Sequence, residues 1–194
     1  MNTKLLPLLL AGLLAAPAFA QNAAVEVQRD VNQQTRIEAG LKSGQLSSAE
    51  AARLEREQAR IAAAQHKALK DGSLGPREQR KIERMQDAAS ADINAQKHDA
   101  QLGNPNSASS QRMQADVQRN VNQQTRVENG IKSGELTNRE VSRLERGEAR
   151  IDRKEAAAGR DGRVGPNEQA KIQRADDRQS RRIHRQKHDR QVRG

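Results

Sequence analysis

The chain has 194 residues with 35 Lys or Arg, 25 Asp or Glu and a formal net charge of +10. It contains no Cys, Trp or Tyr and a single Phe, which excludes disulfides and cysteine chemistry and requires a core of aliphatic side chains. Although 31% of the residues are charged, a composition that approaches disorder, the sparse apolar residues recur at regular spacing, so we expect a folded chain.

Residues 1–20 have the pattern of a secretory signal peptide. Lys4 precedes an apolar run from Leu5 to Leu14, and Ala18-Phe19-Ala20 forms a small-x-small cleavage site. The run is too short to cross a bilayer. We therefore expect cleavage after Ala20, export to the periplasm or the medium, and a mature chain with neither aromatic residues nor a transmembrane segment.

The remainder is a duplication. Residues 27–101 align with residues 117–191 without a gap, and motifs such as VNQQTR, RLER and QKHD occur in both copies 90 residues apart. Residues 103–112 between them are rich in Gly, Asn and Ser, which is typical of a flexible linker. The predicted organisation is a first unit at 21–102, a linker at 103–112 and a second unit at 113–194.

Each copy is predicted to form three helices. The apolar residues follow helical spacing, with one stripe on each helix of the first copy: Val27, Val31, Ile37 and Leu41; Leu54, Ile61 and Ala68; Ile82, Ala89 and Ile93. Ser47 with Glu50 and Thr137 with Glu140 have the capping-box spacing, and Pro76 and Pro166 suit a first helical turn. No segment alternates long enough to predict a strand, so the expected fold class is all-α.

Four loops share the pattern G-x-[LV]-x-x-x-E, two in each copy. They begin at Gly44, Gly72, Gly134 and Gly162 and end at Glu50, Glu78, Glu140 and Glu168. The pattern resembles the second half of an EF-hand loop, in which the glycine makes the turn, the aliphatic residue pairs with the partner loop and the glutamate binds calcium. The resemblance implies paired helix–loop–helix units, with calcium as the ligand.

The first half of each loop departs from the EF-hand pattern. Where the family has its first Asp, this chain has Ala39, Lys67, Asn129 and Ala157. The calcium ligands that the resemblance leaves are Asp71, Glu78, Asp161 and Glu168, fewer oxygens than calcium requires. We therefore expect the helical framework without a cofactor, with calcium as the alternative. The alternative is a helix–turn–helix hairpin without metal, in which the glycine ends one helix, the aliphatic residue packs in the core and the glutamate caps the next helix.

The last predicted helix carries two further candidate sites. His184 and His188 are four residues apart, so both imidazoles lie on one helical face and suit Zn²⁺, Ni²⁺ or Cu²⁺. Around them is a basic face that would attract anions, made of Arg178, Arg181, Arg182, Arg185, Lys187 and Arg190. The alternative for this helix is a solvated surface with i,i+4 ion pairs. Throughout the chain, acidic residues stand among basic ones at helical spacing, which predicts surface ion pairs.

No motif indicates an enzyme, since the sequence has no glycine-rich phosphate loop and no nucleophile–base pattern. The favoured prediction is a periplasmic or secreted interaction or scaffold protein whose charged helical faces bind an anionic envelope component or a protein partner. Export and the absence of stacking aromatic residues make nucleic acid an unsuitable ligand. The alternative is a protein that binds calcium or a transition metal, through the loops or the terminal histidines.

Overall fold

A computed structural model describes residues 18–189 and residue 191 of the chain, which form six α-helices and one 3-10 turn. The helices are α1 (Ala18–Ser43), α2 (Ser48–Ala68), α3 (Pro76–Lys97), α4 (Ala108–Lys132), α5 (Asn138–Ala158) and α6 (Pro166–Lys187); the turn is Gly159–Asp161. These residues contain no strand, which confirms the all-α prediction within the described part. The signal peptide prediction falls mainly on residues 1–17, outside the described residues.

The predicted helix ends are confirmed in the loops. Ser47 and Thr137 each accept a hydrogen bond from the backbone N–H three residues later, while Glu50 and Glu140 accept from the backbone N–H groups of Ser47 and Thr137. Pro76 and Pro166 occupy the first turns of α3 and α6. Local signals in the sequence therefore set where these helices begin.

The two copies pack directly against each other. The most extensive contacts join α1 to its counterpart α4 and α2 to its counterpart α5, while α3 and α6 pack within their own copies. Each of two hydrophobic clusters contains residues of both copies: Leu41 and Leu54 lie with Val117 and Ile151 in one, and Leu74 and Val27 lie with Leu136 and Leu144 in the other. The two copies therefore share both hydrophobic clusters, a point that the sequence alone leaves open.

The segment interpreted as a flexible linker is packed against the first loop. The Gly103 N–H donates to the Gly44 carbonyl at 2.8 Å, and a Cβ on Gly103 would lie 2.3 Å from the Leu46 carbonyl oxygen. Ser107 then caps α4 by accepting from the Ser110 N–H. Gly103 permits close approach of the backbone to the first loop, and Ser107 begins a helix. Glycine and serine serve these purposes as well as flexibility, so this segment has the composition of a flexible linker.

The thin aliphatic core is supplemented by a polar one. Many Gln, Asp and Glu side chains lie between the helices with exposures of only a few per cent. Within the described part of the chain, no helix has the length and apolar content needed to cross a membrane.

Candidate functional site

A groove between α5 and α6 brings together three arginines of the second copy. We call it the basic groove; it is lined by Gly147, Arg150, Ile151, Lys154, Ala175, Arg178, Gln179 and Arg182. Its volume of about 90 Å³ is well below the roughly 300–1,000 Å³ of a pocket for an ordinary small molecule. The groove therefore suits a small charged group rather than a whole metabolite.

Within the part of the chain that the structure describes, the arginines of the basic groove have no carboxylate partners. Among the described residues, no ion pair includes Arg150, Arg178 or Arg182. Burial lowers the pKa of Arg182, and four neighbouring arginines lower it further: Arg150, Arg146, Arg185 and Arg178. A guanidinium stays protonated throughout the physiological range, so these arginines repel one another there and a bound anion would relieve the repulsion.

The floor of the basic groove is set by a glycine. A Cβ at Gly147 would lie 2.0 Å from the Gln179 Oε1 atom. Because Gly147 has none, Gln179 reaches across to α5 and donates to the Leu144 carbonyl at 2.8 Å and to Glu148 Oε2 at 3.2 Å. Gln179 thus ties α6 to α5 beneath the arginines.

A second surface depression lies beside the basic groove on α6. It is lined by Arg126, Ser180, Arg181, His184 and Arg185, and Arg126 donates to the Ser180 hydroxyl at 2.6 Å and to its carbonyl at 3.3 Å. Arg181 and Arg185 are exposed here. The basic surface therefore continues along α6 from the groove.

The predicted basic face is brought together in part. Arg178 and Arg182 line the basic groove, and Arg181 and Arg185 line the depression beside it. Lys187 instead forms an ion pair with Glu135 at 3.2 Å, and Arg190 lies outside the described residues. None of the described ion pairs links two residues of α6, and the alternative of a solvated charged surface stays a prediction.

The equivalent groove of the first copy has different chemistry. This first-copy groove lies between α2 and α3 and is lined by Glu57, Arg60, Ile61, Met85, Ala88, Ala89 and Asp92. Burial raises the pKa of Glu57 to about 7, and the nearby Asp92 contributes to the rise. A position that holds Arg182 in the second copy therefore holds an acid in the first.

The predicted histidine pair lies on one exposed face. The rings of His184 and His188 have centroids 4.2 Å apart, and Nδ1 of His188 lies 2.7 Å from the His184 carbonyl oxygen. This hydrogen bond engages one ring nitrogen with the backbone. The two imidazoles are close, as the spacing predicted, and their use as metal ligands stays a prediction.

The loop carboxylates serve the local backbone. Glu78 Oε2 accepts from the Gly75 N–H at 3.0 Å, and Glu168 Oε2 accepts from the Gly165 N–H at 2.8 Å. Asp71 accepts from the Ser73 N–H at 2.9 Å, and Asp161 accepts from the Arg163 N–H at 3.0 Å. The glutamates thus cap helices, and the aspartates close turns.

The remaining loop features also match the helix–turn–helix alternative. The glycines Gly44, Gly72, Gly134 and Gly162 all have positive φ, between 76° and 99°, as expected of a residue that ends a helix. Leu46 and Leu74 lie in different hydrophobic clusters, the first with Val164 and the second with Leu136. The aliphatic loop residues thus share clusters across copies, while calcium binding by the loops stays a prediction.

The interior acids are candidate site residues that the sequence does not predict. Glu145, Glu148, Asp152 and Glu155 of α5 are at most 3% exposed, so the interpretation of the acidic residues as surface pairs is wrong for this helix. Their spacing of three, four and three residues continues the buried face of Leu144 and Ile151. This periodicity is the signal in the sequence that could have predicted their burial. It is easily overlooked, because carboxylates are rarely buried in a protein interior without a cationic partner.

Burial dominates the electrostatics of this interior. Desolvation raises the pKa of Asp30, Glu55, Asp116 and Asp176 to about 7 and that of Glu145 to about 8. For Glu148, Asp152 and Glu155, burial and neighbouring carboxylates raise the pKa well above its ordinary value. At neutral pH these groups need protons or a bound cation.

Amides provide most of the hydrogen bonds to the interior acids. Asp30 accepts from Gln65 at 2.6 Å and from Gln86 at 2.7 Å, whereas in the second copy Asn120 donates to Glu155 at 2.7 Å. The acid lies on α1 in one copy and on α5 in the other. Acid and amide have therefore exchanged helices between the copies while their pairing was kept.

No protein-family model matches the chain, and neither the curated proteins nor the solved structures provide a match.

Proposed function

We propose that this protein is an exported, non-enzymatic binding protein whose basic groove and adjoining α6 surface bind phosphate-bearing components of the cell envelope. The observation that carries the proposal is the convergence of Arg146, Arg150, Arg178, Arg182 and Arg185 without a carboxylate partner among the described residues. A planar guanidinium presents paired donors that match phosphate oxygens, so a cluster of them favours this anion.

The shape of the basic surface favours a polyanion. The groove admits a small charged group, and Arg181 and Arg185 extend the positive surface beyond it. Ile183, the large aliphatic residue in this part of α6, is fully buried. Binding would therefore depend on charge and hydrogen bonds at a membrane or polymer surface, without insertion of apolar side chains.

The amino-terminal sequence supports the proposed compartment. The pattern of Lys4, Leu5 to Leu14 and Ala18-Phe19-Ala20 is that of a cleaved secretory signal. In the periplasm, phosphate groups of lipids and lipopolysaccharide are abundant, whereas nucleic acid is not an ordinary ligand. We therefore favour an envelope component over a protein partner.

The experiment measures binding of the purified protein to vesicles. Vesicles of phosphatidylglycerol with phosphatidylcholine are compared with vesicles of phosphatidylcholine alone, from 50 to 500 mM salt. We expect binding only to the anionic vesicles, with affinity that falls as salt rises because screening weakens the attraction. Lipopolysaccharide in a parallel series shows which phosphate source binds more tightly.

The variant R178A/R182D/R185A gives the second copy the residues that the first copy has at Ala88, Asp92 and Ala95. We expect its affinity for anionic vesicles to fall at least ~10-fold, since several charges near the surface are lost at about 1 kcal/mol each. The control R77A/R80D/K81A removes the same net charge on α3 and should change affinity less than about twofold. Equal losses in both variants, or salt-independent binding, would refute the proposal.

A further inference from the structure

Three carboxylates from two helices meet where the copies join. Glu55 of α2 and Asp152 and Glu155 of α5 each contribute one oxygen to a group whose atoms all lie within 4.8 Å of one another. The three residues are no more than 1% exposed. We call this group the carboxylate triad.

One oxygen of Asp152 belongs to the triad, and within the described residues this side chain has no hydrogen-bond partner. No hydrogen bond or ion pair of the described residues includes this side chain, and its Oδ1 atom is fully buried. By contrast, Glu55 accepts from Gln34 at 3.0 Å and Glu155 accepts from Asn120 at 2.7 Å. A buried carboxylate without a partner is strongly destabilising, and Asp152 neither caps a helix nor pairs with a base.

The charges that act on the triad are negative. The field at Asp152 comes from Glu55, Glu148, Glu145 and Asp30, and that at Glu155 from Glu55, Asp152, Asp176 and Asp116. Among the described residues, the charged groups with the largest effects on Asp152 and Glu155 are all carboxylates. The centre of the molecule is therefore a site that a cation would stabilise.

We propose that the carboxylate triad binds one hard divalent cation, of the Ca²⁺ or Mn²⁺ type, which joins α2 of the first copy to α5 of the second. Three carboxylates are hard oxygen ligands, and separations of up to 4.8 Å suit atoms on opposite sides of an ion with bonds of about 2.3–2.6 Å. Two partnerless amide oxygens, on Gln34 and Asn120, belong to the side chains that already bond to Glu55 and Glu155, so further oxygen ligands are adjacent.

The triad occurs once because the two copies differ at two of its three positions. Glu55 has Glu145 as its counterpart, but the counterparts of Asp152 and Glu155 are Ala62 and Gln65. The proposed site is thus distinct from the four loops, which are repeated in both copies. One ion for each chain is the expected stoichiometry.

The test is a titration of the metal-free protein with Mn²⁺. The electron paramagnetic resonance signal of the free ion measures how much Mn²⁺ is unbound, and Ca²⁺ is then added as a competitor. We expect one Mn²⁺ for each chain and a melting temperature that rises with metal concentration. D152A and E155Q introduce the residues of the first copy, so helix content measured by circular dichroism should persist while affinity falls at least ~10-fold.

The control E168Q removes a loop carboxylate while glutamine can still cap the helix, and its affinity should equal that of the wild type. If neither Mn²⁺ nor Ca²⁺ shows saturable binding up to millimolar concentration, the proposal is overturned. Protons would then neutralise the carboxylates of the triad. Loss of binding in E168Q with retention in D152A would overturn it in favour of the loops.

Discussion

The two copies share a helical framework but differ in where their charges lie. In the groove, Glu57, Ala88 and Asp92 of the first copy become Gly147, Arg178 and Arg182 of the second. In the interior, four neutral residues become acids: Gln58, Ala62, Gln65 and Gln86 correspond to Glu148, Asp152, Glu155 and Asp176. The second copy is therefore basic on its outer groove and acidic within.

This difference separates the residues that maintain the fold from those that give each copy its chemistry. The retained positions include the capping pairs at Glu50 and Glu140 and the buried residues Leu54 and Leu144. The helix ends and the apolar stripes are the same in both copies. For this reason, residues of the groove and the interior differ between the copies while the order of the helices stays the same. The copies are thus a natural source of compatible substitutions.

The largest expected effect concerns the interior acids. Their folded pKa values are raised, to about 7 for Glu55 and about 8 for Glu145, so between pH 5 and 8 the folded protein binds more protons than the unfolded chain. Stability is then present at low pH and lost as pH rises through 7 and 8. With a chelator present to keep cations off the carboxylates, we expect the melting temperature of the protein to fall by about 10 °C or more from pH 5 to pH 8.

The comparison between copies provides the control for this pH dependence. The variant E148Q/D152A/E155Q/D176Q places first-copy residues in the second copy, and its melting temperature should fall less than half as much over the same range. Circular dichroism at a fixed ionic strength makes the measurement. A wild-type melting temperature that rises with pH would contradict the assignment.

A smaller effect is expected from the exchanged acid–amide pairs. Q65E places a second carboxyl group against Asp30 and should lower the free energy of unfolding at pH 8 by about 1–3 kcal/mol. D30N/Q65E reproduces the arrangement of Asn120 and Glu155, since the new amide can accept from Gln86 and donate to the new glutamate. It should recover most of the loss.

Urea unfolding of the wild type, both single variants and the double variant completes the cycle. At pH 5 the penalty of Q65E should shrink, because a protonated carboxyl group can donate to its neighbour. Additive effects at pH 8 would show that Asp30 and Gln65 do not form a coupled pair.

The fold class followed from local signals, whereas the packing between copies did not. Helical periodicity and the capping spacing of Ser47 with Glu50 depend on residues a few positions apart, so the sequence contains them directly. The contact of α1 with α4 joins residues far apart in the chain, and two similar units fit either separate or shared cores. The Gly and Ser residues of 103–112 predict a flexible linker, but such residues serve close packing as well as flexibility.

The candidate sites were predictable to the extent that they lie on one helix. Arg178, Arg181, Arg182 and Arg185 were identified from α6 alone, but the contributions of Arg146 and Arg150 require the packing of α5 on α6. The carboxylate triad depends on contact between α2 and α5, and its acids are flanked by basic residues such as Arg153 and Lys154 that face outward. Neighbours in the sequence therefore indicated surface pairs.

The smallest expected effect comes from converting the first-copy groove into a basic groove. E57G/A88R/D92R introduces the residues of Gly147, Arg178 and Arg182, and should raise affinity for anionic vesicles about three- to tenfold at low salt. Vesicle binding at several salt concentrations should also show a steeper salt dependence, because added arginines contact more phosphates. The neutral variant E57G/A88Q/D92Q removes the acids without adding arginines and should gain less. If both variants gain equally, loss of repulsion accounts for the change, and arginine at positions 88 and 92 does not by itself create a phosphate site.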